Sequence, residues 1–298
     1  MKCLICAGLA AMLASCTTAQ TVPPVTIAKA IEPSDLAMLA ASEPDLVEAY
    51  GNATQRQRGQ LRLPEGEGPF PVAMLVHGGC FQAFGSPNGL GPMADWLAEN
   101  GVASWNIGYR EIGTGGEWPN LFRDWAKALA HIDSLAERYP LDRQRISVIG
   151  HSAGALAATW LSMDDPARHI GIADLPKVHA TVILDAPLEF AHFARNSEGT
   201  CSAPILAPLM GGDPDAASAN YAMLDPLFMG AGASRMLYVA GVEPVPSREV
   251  LAALGRNGTQ VKTVSLAEKR HFDMIVPGTA DFAQVAPAIL ATVRGDLG

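Results

Sequence analysis

The pentapeptide Gly150-His151-Ser152-Ala153-Gly154 joins Arg145–Ile149, an apolar run that reads as a buried strand, to Ala153–Met163, which has helical spacing. A serine at such a junction is the setting for a hydroxyl nucleophile. The tight turn lifts its Oγ above the sheet, and the positive end of the helix favours an anionic intermediate. The turn needs small residues two before and two after the serine, and Gly150 and Gly154 meet that need. A glycine-rich helix entry with an incidental serine is the plainer alternative. The strand and the helix on either side weigh against it.

A nucleophilic serine requires oxyanion donors, a general base and an acid that orients the base. His77-Gly78-Gly79-Cys80-Phe81 follows the first long strand, Pro71–Val76. Its two glycines let the backbone turn N–H groups toward the serine. The expected donors are the amides of Ala153 and of Gly79 or Cys80, with His77 structural. The order serine, acid, histidine points to His271, in His271-Phe272-Asp273 after the last strand, as base. The other histidines fit less well. His131 lies within a helix, His151 sits in the elbow with its side chain turned from the serine, and His169, His179 and His192 precede the expected acid. For the acid, Glu243 in Gly241-Val242-Glu243-Pro244-Val245-Pro246 is the first choice. Asp185, at the end of the preceding strand, is the second, and Asp273 is too near His271 in sequence.

The elements that position these residues alternate. Strands are expected at Gln60–Leu63, Pro71–Val76, Val102–Ile107, Arg145–Ile149, Val178–Leu184, Arg235–Ala240 and Val261–Leu266. Helices are expected at Pro92–Asn100, Trp118–Tyr139, Ala153–Met163, Ser247–Asn257 and Ala280–Val293. Trp118–Tyr139 carries a clear stripe of Leu121, Trp125, Leu129, Ile132 and Leu135. Alternating strand and helix imply an α/β fold, a mostly parallel sheet with helices on both faces and ligands at the carboxyl ends of the strands. Pro33 to Tyr50 has helix-like apolar spacing broken by Pro44. Residues from about 186 to 234 interrupt the alternation and are too many for a bare loop. They read as a cap insertion over the site.

The 298 residues are 49% hydrophobic and 17% charged, enough for a sizeable core, and the net charge of −9 argues against nucleic acid as a partner. No H-E-x-x-H or G-x-x-x-x-G-K-[ST] pattern is present, and no paired-cysteine motif lies outside the apolar N-terminal run. At the N-terminus, Lys2 and the apolar run Leu4 to Ala14 have signal-peptide form, and Leu13-Ala14-Ser15-Cys16 resembles a bacterial lipobox. Residues 1–15 would then be a lipoprotein signal peptide, Cys16 the lipid attachment site and 16–33 a tether. The protein would be exported and anchored to a membrane by that lipid, with outer-membrane sorting suggested by Thr17. An ordinary secretory signal with an incidental cysteine is the alternative. Of five cysteines, Cys80 and Cys201 remain in the folded part, residues 34–298. In an exported protein such a pair is expected as a disulfide, with two separate thiols as the alternative.

From Tyr50 to about Phe282 the chain resembles the bacterial α/β-hydrolases of the bifunctional deacetylase/feruloyl esterase and kynurenine formamidase type. The resemblance rests on Leu61-Arg62-Leu63-Pro64, Gly68-Pro69-Phe70-Pro71, His77-Gly78-Gly79-Cys80-Phe81 and Asn106-Ile107-Gly108-Tyr109-Arg110. Gly116-Glu117-Trp118-Pro119, the serine pentapeptide and His271-Phe272 extend it. It implies an α/β-hydrolase fold, Ser152 as nucleophile and His271 as base. It further implies hydrolysis of a small-molecule carboxylic ester or amide, without a cofactor or metal, through an acyl-enzyme. The departure is at the acid, where relatives often read Gly-x-x-Asp and this chain has a shortened loop with Glu243. An arylformamidase-like amide hydrolase and a non-catalytic binding lipoprotein are the alternatives. The substrate and the oligomeric state are left open.

Overall fold

A computed structural model describes residues 29–172 and 174–295. The expected signal peptide, Cys16 and most of the tether lie outside the described residues. Eight strands run in chain order as β1 (Leu46–Ala49), β2 (Arg58–Arg62), β3 (Phe70–Val76), β4 (Ala103–Ile107), β5 (Leu141–His151), β6 (Ala180–Leu184), β7 (Arg235–Ala240) and β8 (Gln260–Ser265). They form one sheet in the order β1-β2-β4-β3-β5-β6-β7-β8. The β1–β2 and β2–β4 pairs are antiparallel and the other five are parallel. This is the α/β-hydrolase fold.

Among the described residues the helices are α1 (Pro33–Leu36), α2 (Gly91–Glu99), α3 (Asn120–Ala136), α4 (Ala153–Leu161), α5 (Phe190–Asn196), α6 (Ala203–Met210), α7 (Ser218–Ala222), α8 (Arg248–Gly255) and α9 (Ala280–Arg294). The central strands are apolar on both faces because helices cover both. Met93 and Leu97 of α2 and Phe282, Val285 and Ile289 of α9 pack with Leu75, Ile149, Val182 and Leu237 on one face. Trp125 and Leu129 of α3, Trp160 of α4 and Leu254 of α8 pack with Met74, Val148, Ile183 and Met236 on the other. The period-two alternation of β5 therefore feeds two cores from one strand.

Two features differ from the expectations. The stretch read as helix-like, Pro33 to Tyr50, splits into the four-residue α1 and the edge strand β1. Pro44 blocks a continuing helix, and β1 is too short and too exposed to show a strand pattern. β5 also begins four residues earlier than expected. Its first half is polar, since only Ile146–His151 is continuously buried. Residues 186 to 234 are partly helical. They hold α5, α6 and α7, and they join the body where Phe190 meets Phe81 edge-on at 6.4 Å and where the Trp118 N–H donates to the Pro208 carbonyl at 3.0 Å.

The parallel register levels the strand ends. Val76 pairs with Gly150, Gly150 with Ile183, Ile183 with Tyr238 and Tyr238 with Thr263. Residues just beyond this row from four different strands therefore converge at the carboxyl end of the sheet.

Candidate active site

Ser152 occupies the turn between β5 and α4 with φ 53° and ψ −125°. A non-glycine residue in that region costs about 1–3 kcal/mol and persists only where its surroundings impose it. The flanking glycines do so by close approach. A Cβ on Gly150 would sit 2.6 Å from Ala155 Cα and closer still to the Gly154 carbonyl. One on Gly154 would strike the Val76 carbonyl and lie 2.5 Å from that of His77. The Ser152 amide donates to the Leu184 carbonyl at 2.9 Å, which ties the elbow to β6.

The segment His77–Phe81 passes directly over the elbow. A Cβ on Gly78 would stand 2.9 Å from Ser152 Cβ, so only glycine allows this proximity. Gly79, Cys80 and Phe81 all have positive φ, 120°, 47° and 59°. The loop is supported from behind. Tyr109 stacks on His77 at 4.4 Å, and its hydroxyl donates to the His77 carbonyl at 2.7 Å. His77 Nδ1–H donates to the Gly78 carbonyl at 2.7 Å, and burial pushes the imidazole down to about 4 so that it stays neutral. In front, Cys80 is disulfide-bonded to Cys201, between α5 and α6, with 5.1 Å between their Cα atoms. The loop expected to carry the oxyanion donors is thus tied to the helical insertion.

The acid position differs from the first expectation. Asp185, not Glu243, faces the base, with His271 Nδ1 donating to Asp185 Oδ2 at 2.5 Å. Oδ1 accepts from the amides of Gly241 at 2.9 Å and Glu243 at 2.7 Å, and Oδ2 also accepts from Val242 at 3.0 Å. Glu243 therefore contributes its main chain, not its carboxylate. The shortened loop after β7 wraps its amides around an aspartate at the end of β6. Burial would push the Asp185 carboxyl up, but the hydrogen bonds from His271, Val242 and Glu243 outweigh it and hold it below the usual carboxylate range. Glu243 shows the opposite. Burial, and then the charge of Asp185, push its carboxyl up.

His271 lies on the loop between β8 and α9. Its Nδ1 is engaged by Asp185, which leaves Nε2 as the ring nitrogen able to accept a proton. The loop is fastened further on, where buried Asp273 accepts from the Ile31 amide at 3.0 Å and from Arg270 at 3.2 Å. Beside the acid loop a cavity of about 320 Å³ is lined by Leu188, His192, Phe193, Tyr238, Glu243 and Pro244. Among the described residues no group of three His, Cys, Asp or Glu side chains is placed to hold a metal ion.

Two supporting residues carried no assigned role in the sequence. Tyr109 lies in a motif that was visible, but its grip on His77 is a contact across 32 residues. His151 was read as turned away from the serine. It is buried, with its ring 4.7 Å from that of His271.

The family model for BD-FAE matches residues 60–230, more than half of the chain. The chain belongs to the BD-FAE family. No curated protein sequence matches significantly. Solved structures do. The bifunctional GH43-CE protein of Bacteroides eggerthii superposes with a TM-score of 0.65 at 18% identity, over 85% of this chain and 36% of that one. This chain thus spans about a third of that protein's length. Esterase B of Lactobacillus rhamnosis gives a TM-score of 0.69 at 15% identity, over 88% of this chain and 89% of the other. Esterase Est2 of Thermogutta terrifontis, with propionate bound, gives 0.59 at 19% identity, over 74% and 82%. At such identities the likeness is one of fold.

Proposed function

We propose that this protein is a serine carboxylester hydrolase that works through an acyl-enzyme at Ser152. The observation that carries the reading is the Asp185–His271 pair, held at the same carboxyl end of the sheet as the strained Ser152 elbow. His271 Nε2 takes the serine proton as Oγ bonds to the ester carbonyl carbon. The resulting oxyanion is received by the backbone N–H groups of Ala153 and of Gly79 or Cys80. Collapse breaks the bond to the alcohol oxygen, which leaves with the proton from His271. Water then attacks the acyl-enzyme by the same route in reverse, releasing the acid and restoring Ser152. Asp185 keeps the His271 proton on Nδ1 and stabilises the imidazolium that forms. No step calls for a cofactor.

The irregular loop after β7 was the ground for the non-catalytic alternative. Asp185 on the imidazole weighs against that alternative. The names of similar structures, a carbohydrate esterase from gut microbiota and a propionate-bound esterase, support short acyl groups, including those carried on carbohydrates. We further propose export and attachment through lipid on Cys16, supported by the apolar run and the lipobox-like residues before it.

The test is turnover of p-nitrophenyl acetate and butyrate, acetylated xylo-oligosaccharides, methyl ferulate and N-formylkynurenine by the purified soluble domain. We expect ester hydrolysis that Ser152→Ala lowers by at least about 10³-fold. Preference for the formyl amide over every ester would favour the amide reading, and no ester turnover at all would overturn the proposal.

A further inference from the structure

The residue before the nucleophile is the last of β5, and its side chain is buried. His151 is 2% exposed. Its Nε2–H donates to the backbone carbonyl of His271 at 2.8 Å, and its ring lies 4.7 Å from the His271 ring and 5.6 Å from that of Phe272. On its other side it meets the glycine loop, where a Cβ on Gly78 would stand 3.4 Å from His151 Nδ1 and 3.0 Å from its carbonyl oxygen. One imidazole is thus wedged between the loop over the elbow and the loop that carries the base, while its own backbone leads into Ser152.

We propose that His151 is a positioning residue that sets the height and reach of His271 above the nucleophile through the Nε2–H bond to the His271 carbonyl. This rests on the hydrolase reading above. The base has no strand or helix of its own, because residues 266–272 form an irregular loop. Its ring orientation is fixed by Asp185, but an imidazole can swing about a carboxylate. Holding the carbonyl of the same residue removes that freedom. The donor must also be uncharged, because His271 becomes an imidazolium during each half-reaction and a second cation 4.7 Å away would oppose it. Burial, and then the neighbouring His271, push the His151 imidazole down to about 3, so it donates as a neutral ring with its proton on Nε2. The groups facing it are His271 and Asp185 from the two catalytic loops, with Gly78 and Phe272 completing the enclosure.

Catalytic geometry tolerates little displacement, and a misplacement of about 1 Å costs roughly 10²-fold. His151→Leu, which fills much of the space without a donor, should lower kcat on p-nitrophenyl acetate by about 30- to 100-fold and leave KM within about threefold. His151→Gln, which carries an N–H at comparable reach, should recover kcat to within about fivefold of wild type, although both variants lose similar thermal stability. The rate of Ser152 labelling by a fluorophosphonate should follow kcat across the three proteins. If His151→Leu does not fold, His151→Met takes its place under the same criterion. Wild-type activity with the donor-less variant within twofold of it would overturn the positioning role alone. So would a glutamine variant as slow as the leucine one at equal thermal stability. A wild-type protein that is neither labelled nor active would overturn the hydrolase reading, and this role with it.

Discussion

Replacing Asp185 by asparagine changes one atom of the carboxylate, and the surrounding donors determine the outcome. If the asparagine oxygen keeps the Oδ1 place, it retains the amides of Gly241 and Glu243, and its NH₂ then faces the Val242 amide and His271 Nδ1. His271 can meet that NH₂ only by moving its own proton to Nε2, where it can no longer accept one from Ser152. The reverse orientation would preserve the base, but it points the NH₂ at two buried N–H groups where the first orientation meets one. The extra unsatisfied donor costs about 1–3 kcal/mol, so the competent orientation is a minority. Reversal of the imidazole tautomer carries a loss near 10⁴ in hydrolases of this type. Asp185→Asn should therefore lower kcat by about 10²- to 10⁴-fold, roughly 3 to 5 kcal/mol of transition-state stabilisation. Glu243→Gln leaves the backbone amide in place and should stay within about threefold. Steady-state kcat on p-nitrophenyl acetate, with thermal unfolding to confirm both variants fold, makes the comparison. A glutamine variant at 243 that loses more than the asparagine variant at 185 would refute the argument. So would an asparagine variant that keeps more than a tenth of wild-type kcat.

The Cys80–Cys201 bond closes a loop with a sequence separation of 121 residues. The chain-entropy model gives an upper figure of about 5 kcal/mol for such a closure. The double Cys80→Ser/Cys201→Ser variant should melt up to about 10 °C lower and, because Cys80 lies in the loop proposed to donate to the oxyanion, lose about tenfold in kcat. A melting point within 2 °C of wild type would contradict this. Glu111 is buried beside Arg56 at 2.7 Å, yet burial pushes its carboxyl up to about 7. A carboxyl raised on folding stabilises the fold below its unfolded value, about 4.3, and this contribution is lost as pH rises through about 7. Urea midpoints should therefore show wild type losing ground to Glu111→Gln between pH 5 and pH 8, and a constant or reversed gap would contradict the assignment.

How legible each part was depended on how local its cause is. The elbow was visible because Gly150 and Gly154 are required by contacts within a few residues of Ser152 or with the adjacent strand. Strands β3, β4, β6 and β7 were visible because burial on both faces makes them continuous apolar runs. β1 was not, since its four residues lie at the sheet edge and their apolar side chains also suit a helix. The acid lay beyond sequence pattern for a different reason. Glu243 was placed in the correct loop, but its role there is played by the amide and not the carboxylate. Which aspartate receives three successive amides depends on the path of a loop 56 to 58 residues away. His151 was misjudged on the same account. Its side chain meets the loop that carries the base, a contact across 120 residues.

The central claim is that Ser152 is the activated nucleophile, and covalent capture tests it most directly. The purified soluble domain should be treated with a fluorophosphonate, digested and mapped by mass spectrometry. One stoichiometric adduct is expected on the peptide containing Ser152, absent from Ser152→Ala and formed at least about 10²-fold more slowly in Asp185→Asn. An adduct on another serine, or none on a folded wild-type protein, would contradict it.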